Sequence, residues 1–269
     1  MNHHLKRWLT SIIAVPLLFA LIYFSSEDVF SFFILVLILF ALWEYNRLAF
    51  GKEGNISEKA EVMIFGFLIV LSAHLNSFPF IVSVVTFSVM ISFLIFLFRI
   101  KGESFDIIDL GKVIMGFMYI PLMMSYFILL RHLTDGSRWI FFVLIIAFSG
   151  DISAYYTGKT IGRRKLQSFI SPGKTVEGTI ALLIGSVVGA FFSQQFFFNE
   201  IRLTHALIIG AAGGMLGQLG DLFESSIKRA AHVKDSGFII PGHGGIMDRI
   251  DCLCFMVPFV YYYQLFVIE

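Results

Sequence analysis

The sequence is poor in charge. Asp, Glu, Lys and Arg make up 14% of its 269 residues, where soluble domains carry roughly 25%. A water-soluble protein of this length needs more charge to cover its surface, so a wholly soluble fold is excluded and much of the surface must face lipid. The net charge is +1, which removes the electrostatic case for nucleic acid or another polyanion as partner. Cysteine is nearly absent. Cys252 and Cys254 stand C-x-C inside an apolar run, a spacing that builds neither a disulfide framework nor a zinc knuckle, and both read as small helix residues. His243 has no second histidine at metal-ligand spacing, so zinc is not expected; the other histidines sit at ends, edges or loops and carry no chemistry of their own. No G-x-x-x-x-G-K-[ST] occurs, and hydropathy leaves no strand to carry one, which excludes a P-loop. Internal repeats, linkers and low-complexity tracts are missing too.

Apolar sequence is what the chain has instead: 57% of residues are hydrophobic and 16% aromatic. A spanning helix needs about 20 mainly apolar residues. Nine runs qualify, at 8–25, 29–46, 61–77, 79–98, 112–131, 139–158, 176–197, 205–227 and 250–268, the third and the sixth to eighth being interrupted by polar residues. The first follows Lys6 and Arg7 as a signal peptide would, but no small-residue cleavage site follows it, so it reads as a retained span. With the N-terminus in the cytoplasm, 17 of the 20 Lys and Arg fall in cytoplasmic segments and three, Arg131, Arg138 and Arg202, fall outside; positive loops resist translocation, so this asymmetry supports both count and orientation. Trp8, Trp43 and Trp139 fall at span ends, where amphipathic rings favour the interface. The expected fold is all-α and polytopic, with about nine transmembrane helices, front helices at 1–110 and a catalytic region at 111–269. The long loops 46–60, 99–111, 159–175 and 228–249 are all cytoplasmic, the charges of the first two reading as solvated faces.

Charged residues inside a span cost at least ~2.5 kcal/mol each on insertion scales and mark function by default. SGDISAYYTG, 149–158, places Asp151 near the cytoplasmic end of its span, with Tyr155 one turn on; the plainer reading is a carboxyl group hydrogen-bonded to a neighbouring helix. In GQLGDLFESSIKR, 217–229, Asp221, Glu224, Ser225 and Lys228 fall at i, i+3, i+4 and i+7, along one helical stripe; the plainer reading is an amphipathic helix end. Gly210, Gly213, Gly214, Gly217 and Gly220 precede it, a close-packing face that brings Asp221 near other spans and would also suit a homodimer.

The stretch KDSGFIIPGHGGIMDRID, 234–251, is the densest in polar chemistry. Glycines let backbone N–H groups approach an anion. Lys228, Arg229, Lys234 and Arg249 supply positive charge, while Asp221, Asp235, Asp248 and Asp251 supply the hard oxygens that Mg²⁺ uses beside substrate phosphates. Acids beside bases around glycine suit a metal–nucleotide site, since a pure anion trap has no use for carboxylates. In GRRKLQSFISPGKTVEG, 162–178, Ser171 or Thr175 caps the seventh helix with Glu177 in its first turn, and Lys174 stands at that N-terminus, a place for phosphate.

Segment 225–251 resembles the signature of the phosphatidate cytidylyltransferase (CDP-diacylglycerol synthase) family: S-x-[apolar]-K-R, four residues, K-D-x-[small], two residues, then [apolar]-[P/G/S]-x-H-G-G-[apolar]-x-D-R-[apolar]-D. Every fixed position is filled, from Ser225 to Asp251. SPGKTVEG resembles a second family element, with Gly173 where a basic residue is usual. The resemblance covers about 149–258 and leaves the front half to hydropathy. It implies transfer of a cytidylyl group from CTP to phosphatidate, with release of pyrophosphate, at the cytoplasmic face of the cell's inner membrane. It further implies Asp221 and Asp248 as Mg²⁺ ligands with Asp151 or Asp251 beside them, the number of cations left open. Lys228, Arg229, Lys234, Asp235 and Arg249 would serve the phosphates and the transfer, with Ser171, Ser225 and Lys174 as further contacts, and His243, Gly244 and Gly245 lining the nucleotide. Rival readings are a CTP-dependent enzyme acting on another lipid, such as a polyprenol kinase or an archaeal-type lipid cytidylyltransferase, and an ion-coupled transporter. The transporter reading suffers from the crowding of polar residues at one face and the lack of an inverted repeat.

Overall fold

A computed structural model of the chain describes residues 3–51, 54–99, 107–239 and 244–269. Lys52, Lys101 and Pro241 to His243 lie outside the described residues, as do the side chains of Lys6, Arg7 and Trp8. Each of the nine apolar runs is helical: α1 (His3–Phe24), α2 (Glu27–Phe50), α3 (Ile56–His74), α4 (Phe78–Arg99), α5 (Ile107–Phe117) continuing through a π turn at Met118–Leu122 into α6 (Met123–His132), α7 (Gly136–Thr160), α8 (Val176–Phe196), α9 (Leu203–Ala230), and α10 (Met247–Tyr263) with a closing π turn at Gln264–Ile268. The π turn holds Pro121, which lacks the N–H an α-helix would use there. Seven of these runs, α2, α4, α5–α6, α7, α8, α9 and α10 with its closing turn, are long and apolar enough to cross a membrane. α3 opens instead on Glu58, Lys59 and Glu61. The chain is an all-α, polytopic membrane protein with large apolar side chains such as Phe32, Phe98 and Phe196 turned outward.

One stretch departs from the all-helical expectation. The loop before α8 folds into an antiparallel hairpin, β1 (Lys165–Gln167) and β2 (Ser171–Thr175), with Lys165 opposite Thr175 and Gln167 opposite Ser171. Strands this short, without an apolar alternation, leave no trace in hydropathy.

Two compact units share the chain: residues 1–132 with 235–247, and residues 133–234 with 248–269. The boundary expected from the sequence lies at 110/111. In the first unit, Ile38, Leu42, Tyr45, Val62, Ile69, Phe117 and Ile120 form the core. Tyr45 donates its hydroxyl to the Lys112 carbonyl at 2.7 Å. Two charges in the loops expected to be solvated, Glu58 and Arg99, are paired instead. Arg99 donates to Glu58 at 2.9 Å and to Ser57 Oγ at 2.7 Å and pairs with Glu61, and both glutamates are buried. The first turns of α3 pack where α4 ends, so the guanidinium replaces water as partner of both carboxylates.

In the second unit, glycines set the helix spacing. Cβ atoms added at Gly185 and Gly189 of α8 would fall 2.2 Å and 2.1 Å from the hydroxyls of Ser153 and Ser149 on α7. On α9, a Cβ at Gly210 or Gly214 would meet Ala190 or Ser186 of α8 at 2.8 and 2.6 Å, and one at Gly217 or Gly220 would meet Met256 or the Asp251 carbonyl of α10 at 3.0 and 2.5 Å. The glycine face is thus spent within the chain on α8 and α10. Trp139, expected at an interfacial span end, is instead buried at 3% exposure, with its ring edge-on to Phe142 and Phe198. Trp43 is exposed, with the Arg47 guanidinium 4.8 Å from its ring centre.

Candidate active site

The site grows from the hairpin. β2 ends at Thr175, whose hydroxyl accepts the Gly178 N–H at 3.1 Å and caps α8. Ser171, the other candidate cap, lies at the far end of β2. Glu177 accepts the N–H groups of Arg163 at 3.0 Å and Arg164 at 3.2 Å, so it fastens the turn that leaves α7 to the first turn of α8. Between these fixed points Lys174 reaches α9, and its ammonium lies 2.6 Å from Asp221 Oδ2. Ser225, one turn on, donates to Asp221 Oδ1 at 3.3 Å.

A cavity of about 370 Å³ opens beside this pair, within the size range of small-molecule sites. Asp151, Tyr155 and Lys159 of α7, Lys174 and Thr175 of the hairpin, Thr179 of α8, and Gln218 and Asp221 of α9 contribute its polar lining. Gln218 is buried, and its amide nitrogen has no protein hydrogen-bond partner. A buried donor without an acceptor is unfavourable, so a ligand oxygen in the cavity is its natural complement.

A second polar group lies where α9 faces α10. Lys228 pairs with Glu224 at 2.5 Å and with Asp248 at 2.6 Å. The three side chains are 11%, 0% and 9% exposed, so one ammonium holds two buried carboxylates. Asp251 links the two groups, since its carboxylate interacts electrostatically with Asp221, Glu224 and Lys228. Asp151 in turn feels Asp221, Lys174 and Arg249.

The predicted residues thus fall into places. Asp151, Lys174, Asp221 and Ser225 come together, and so do Lys228, Glu224 and Asp248, with Asp251 and Arg249 close in charge to the first set. Arg229 is committed to protein, donating to the carbonyls of Ile170 at 3.1 Å and Val233 at 2.6 Å. Lys234 and Asp235 are exposed. Gly244 has φ +84°, a conformation that favours glycine. His243 is outside the described residues. Among those residues, no three His, Cys, Asp or Glu side chains converge at ion-binding distance. The donor set nonetheless suits a hard divalent cation, because the carboxylates of Asp151 on α7 and Asp251 on α10 each lie within electrostatic reach of Asp221 on α9.

Sequence reasoning missed Glu44. It is fully buried on α2 and accepts hydrogen bonds from Ser236 Oγ at 2.9 Å, the Ile246 N–H at 3.1 Å and the Met247 N–H at 2.9 Å. The available signal was a carboxylate within the apolar run FALWEYN. Gln218 was missed as well, being one polar residue among glycines.

Comparison with known proteins finds relatives of this chain. The model of the cytidylyltransferase family matches residues 5–267. The phosphatidate cytidylyltransferase of Bacillus subtilis (strain 168) is 34% identical over 228 residues, 83% of this chain and 76% of that protein. That of Synechocystis sp. is 33% identical over 96% of this chain and 95% of its own. That of Haemophilus influenzae is 41% identical over about half of each, 52% and 51%.

Proposed function

We propose that the cavity beside Lys174 and Asp221 is where this chain, a member of the cytidylyltransferase family, transfers the cytidylyl group of CTP to phosphatidate, giving CDP-diacylglycerol and pyrophosphate. A phosphate oxygen of phosphatidate bonds to the α-phosphorus of CTP while the bond from that phosphorus to the β-phosphate bridging oxygen breaks. Pyrophosphate leaves with the electron pair. The attacking oxygen is already anionic, so no protein nucleophile is needed. The difficulty is to hold two anions in line. Lys174 and Lys159 meet phosphate oxygens in the cavity, with Gln218 donating to one of them, and Arg249 adds positive charge. Lys228 and Lys234 are further phosphate contacts, with Asp235 beside them and Gly244, Gly245 and His243 toward the nucleotide.

Asp221 and Asp248, with Asp151 or Asp251, are the residues to hold Mg²⁺, alone or with a second cation. When bound, it neutralises triphosphate charge and polarises the reacting phosphorus. What supports this assignment is that Asp151 and Asp251 both lie within electrostatic reach of Asp221. Lys174 and Lys228 neutralise Asp221 and Asp248 in the protein alone, and phosphates draw those ammonium groups away. The nine helical runs are read as nine spans, with the N-terminus and the site on the cytoplasmic side of the cell membrane, because the basic residues divide so unevenly between the two sides.

The observation that carries the proposal is the Lys174–Asp221 pair at 2.6 Å on the wall of a cavity of ligand size. The test uses detergent-purified protein, labelled CTP, phosphatidate micelles and Mg²⁺, reading label in the organic phase. Transfer is expected to need phosphatidate and metal and to fall about 100-fold or more in Lys174→Met and Asp221→Asn. Undiminished transfer in both variants would move the site elsewhere.

A further inference from the structure

Glu44 lies outside every motif that marks the reaction, yet its surroundings are built for a carboxylate. A fully buried carboxylate is unfavourable unless donors surround it, and here a hydroxyl and two backbone N–H groups do so, at 2.9, 3.1 and 2.9 Å. Space is made for it too. A Cβ on Gly237 would lie 2.2 Å from Glu44 Oε1, and one on Gly245 would lie 2.4 Å from Oε2 and 2.0 Å from Ser236 Oγ. The glycine at 245 therefore admits a protein carboxylate. Ile246 and Met247 stand where α10 begins, and the first N–H groups of a helix have no partners within it. An anion there also suits the helix dipole. Glu44 does from 203 positions away what a capping side chain does locally.

We infer that Glu44 is a positioning residue for the transfer. It binds Ser236 at one end of the glycine loop and residues 246–247 at the other, so the two ends are held at one point. The charged residues flanking those ends in sequence, Lys234 and Asp235 before and Asp248 and Arg249 after, then start from fixed backbone. Glu44 touches no substrate and acts through the loop. This inference rests on the reading that the loop's charged residues serve the transfer from CTP.

The test uses the full-length protein in detergent. Trypsin cleavage after Lys234 is followed without substrate, and the kinetics are measured with CTP and phosphatidate varied separately. Glu44→Gln keeps the shape but offers one acceptor oxygen to three donors and turns an NH₂ toward them. Expected are cleavage roughly tenfold faster and kcat/KM for CTP lower by about tenfold or more, the scale of one lost charge-assisted contact, with KM for phosphatidate unmoved. Glu44→Asp keeps the charge and recovers part of both. Because Glu44→Gln can fail to fold, a second arm crosses Gly245→Ala with Glu44→Asp. The shorter acid makes room for the new Cβ, so Gly245→Ala costs less beside Asp than beside Glu, a coupling that general destabilisation does not produce. Wild-type cleavage and kinetics in Glu44→Gln would overturn the inference, as would strict additivity in the cross. If Glu44→Gln loosens the loop while the wild type transfers nothing to phosphatidate, the anchoring stands and the reading of the reaction falls.

Discussion

Lys228→Met is the most severe single substitution that the second unit invites. The lysine holds Glu224 at 2.5 Å and Asp248 at 2.6 Å, with side-chain exposures of 11%, 0% and 9%. Water cannot take its place at that burial. Removing one partner of a buried ion pair costs about 3–5 kcal/mol, because the remaining charge is left uncompensated, and here two carboxylates are stranded together. Methionine nearly preserves the volume, so the loss is electrostatic and not a cavity. The contrast is Lys174→Met. Its partner Asp221 is 32% exposed and opens onto the cavity, and water and salt screen it, so its stability cost is about 1 kcal/mol or less. Urea or thermal unfolding of the detergent-solubilised variants, followed by tryptophan fluorescence, measures both. Glu224→Gln added to Lys228→Met should restore much of the loss by removing one stranded charge, a coupling read directly from the cycle. Lys228→Met as stable as the wild type, or a double variant worse than the single, would refute the claim that the lysine neutralises a dry acid pair.

The remaining expectations concern the cavity and the helix crossings. Gly220→Ala places a Cβ 2.5 Å from the Asp251 carbonyl, where backbone must move; a loss of about 1–3 kcal/mol is expected, and near-neutral unfolding energetics would show that α9 and α10 are less closely set. Gln218→Leu removes the unpartnered buried donor, so its stability should hold or rise slightly while substrate KM rises by roughly tenfold, the worth of one hydrogen bond to a ligand; unchanged kinetics would mean that the amide meets no ligand.

The membrane architecture was legible because hydropathy and charge asymmetry act over whole helices. Nine apolar runs were expected and nine are helical, their ends shifted by a few residues where caps such as Ser26 and Asn55 set them. The hairpin was not legible. Its strands are three and five residues long, and its place is set by α8 and by Glu177, which no local pattern announces. Arg99 was misread for a similar reason. An Arg beside a loop looks solvated until α3 is packed against α4, and only then do Glu58 and Glu61 meet it directly.

The site divides along the same line. Asp221, Glu224, Ser225 and Lys228 could be placed on one stripe because helical spacing alone puts them there. Their partners could not be chosen that way. Spacing does not say that Lys174 takes Asp221 while Lys228 takes Asp248; that choice depends on how closely α8 and α10 approach α9, which the glycines decide. Glu44 is the extreme case. The glycine loop is rich in groups that read as an anion cradle, and Ile246 and Met247 at its end spend their N–H groups on an acid from α2. A loop whose donors are already partly satisfied by the protein is a preorganised loop. Gly237 and Gly245 thus admit Glu44, and the backbone on either side of the loop starts from that anchored carboxylate.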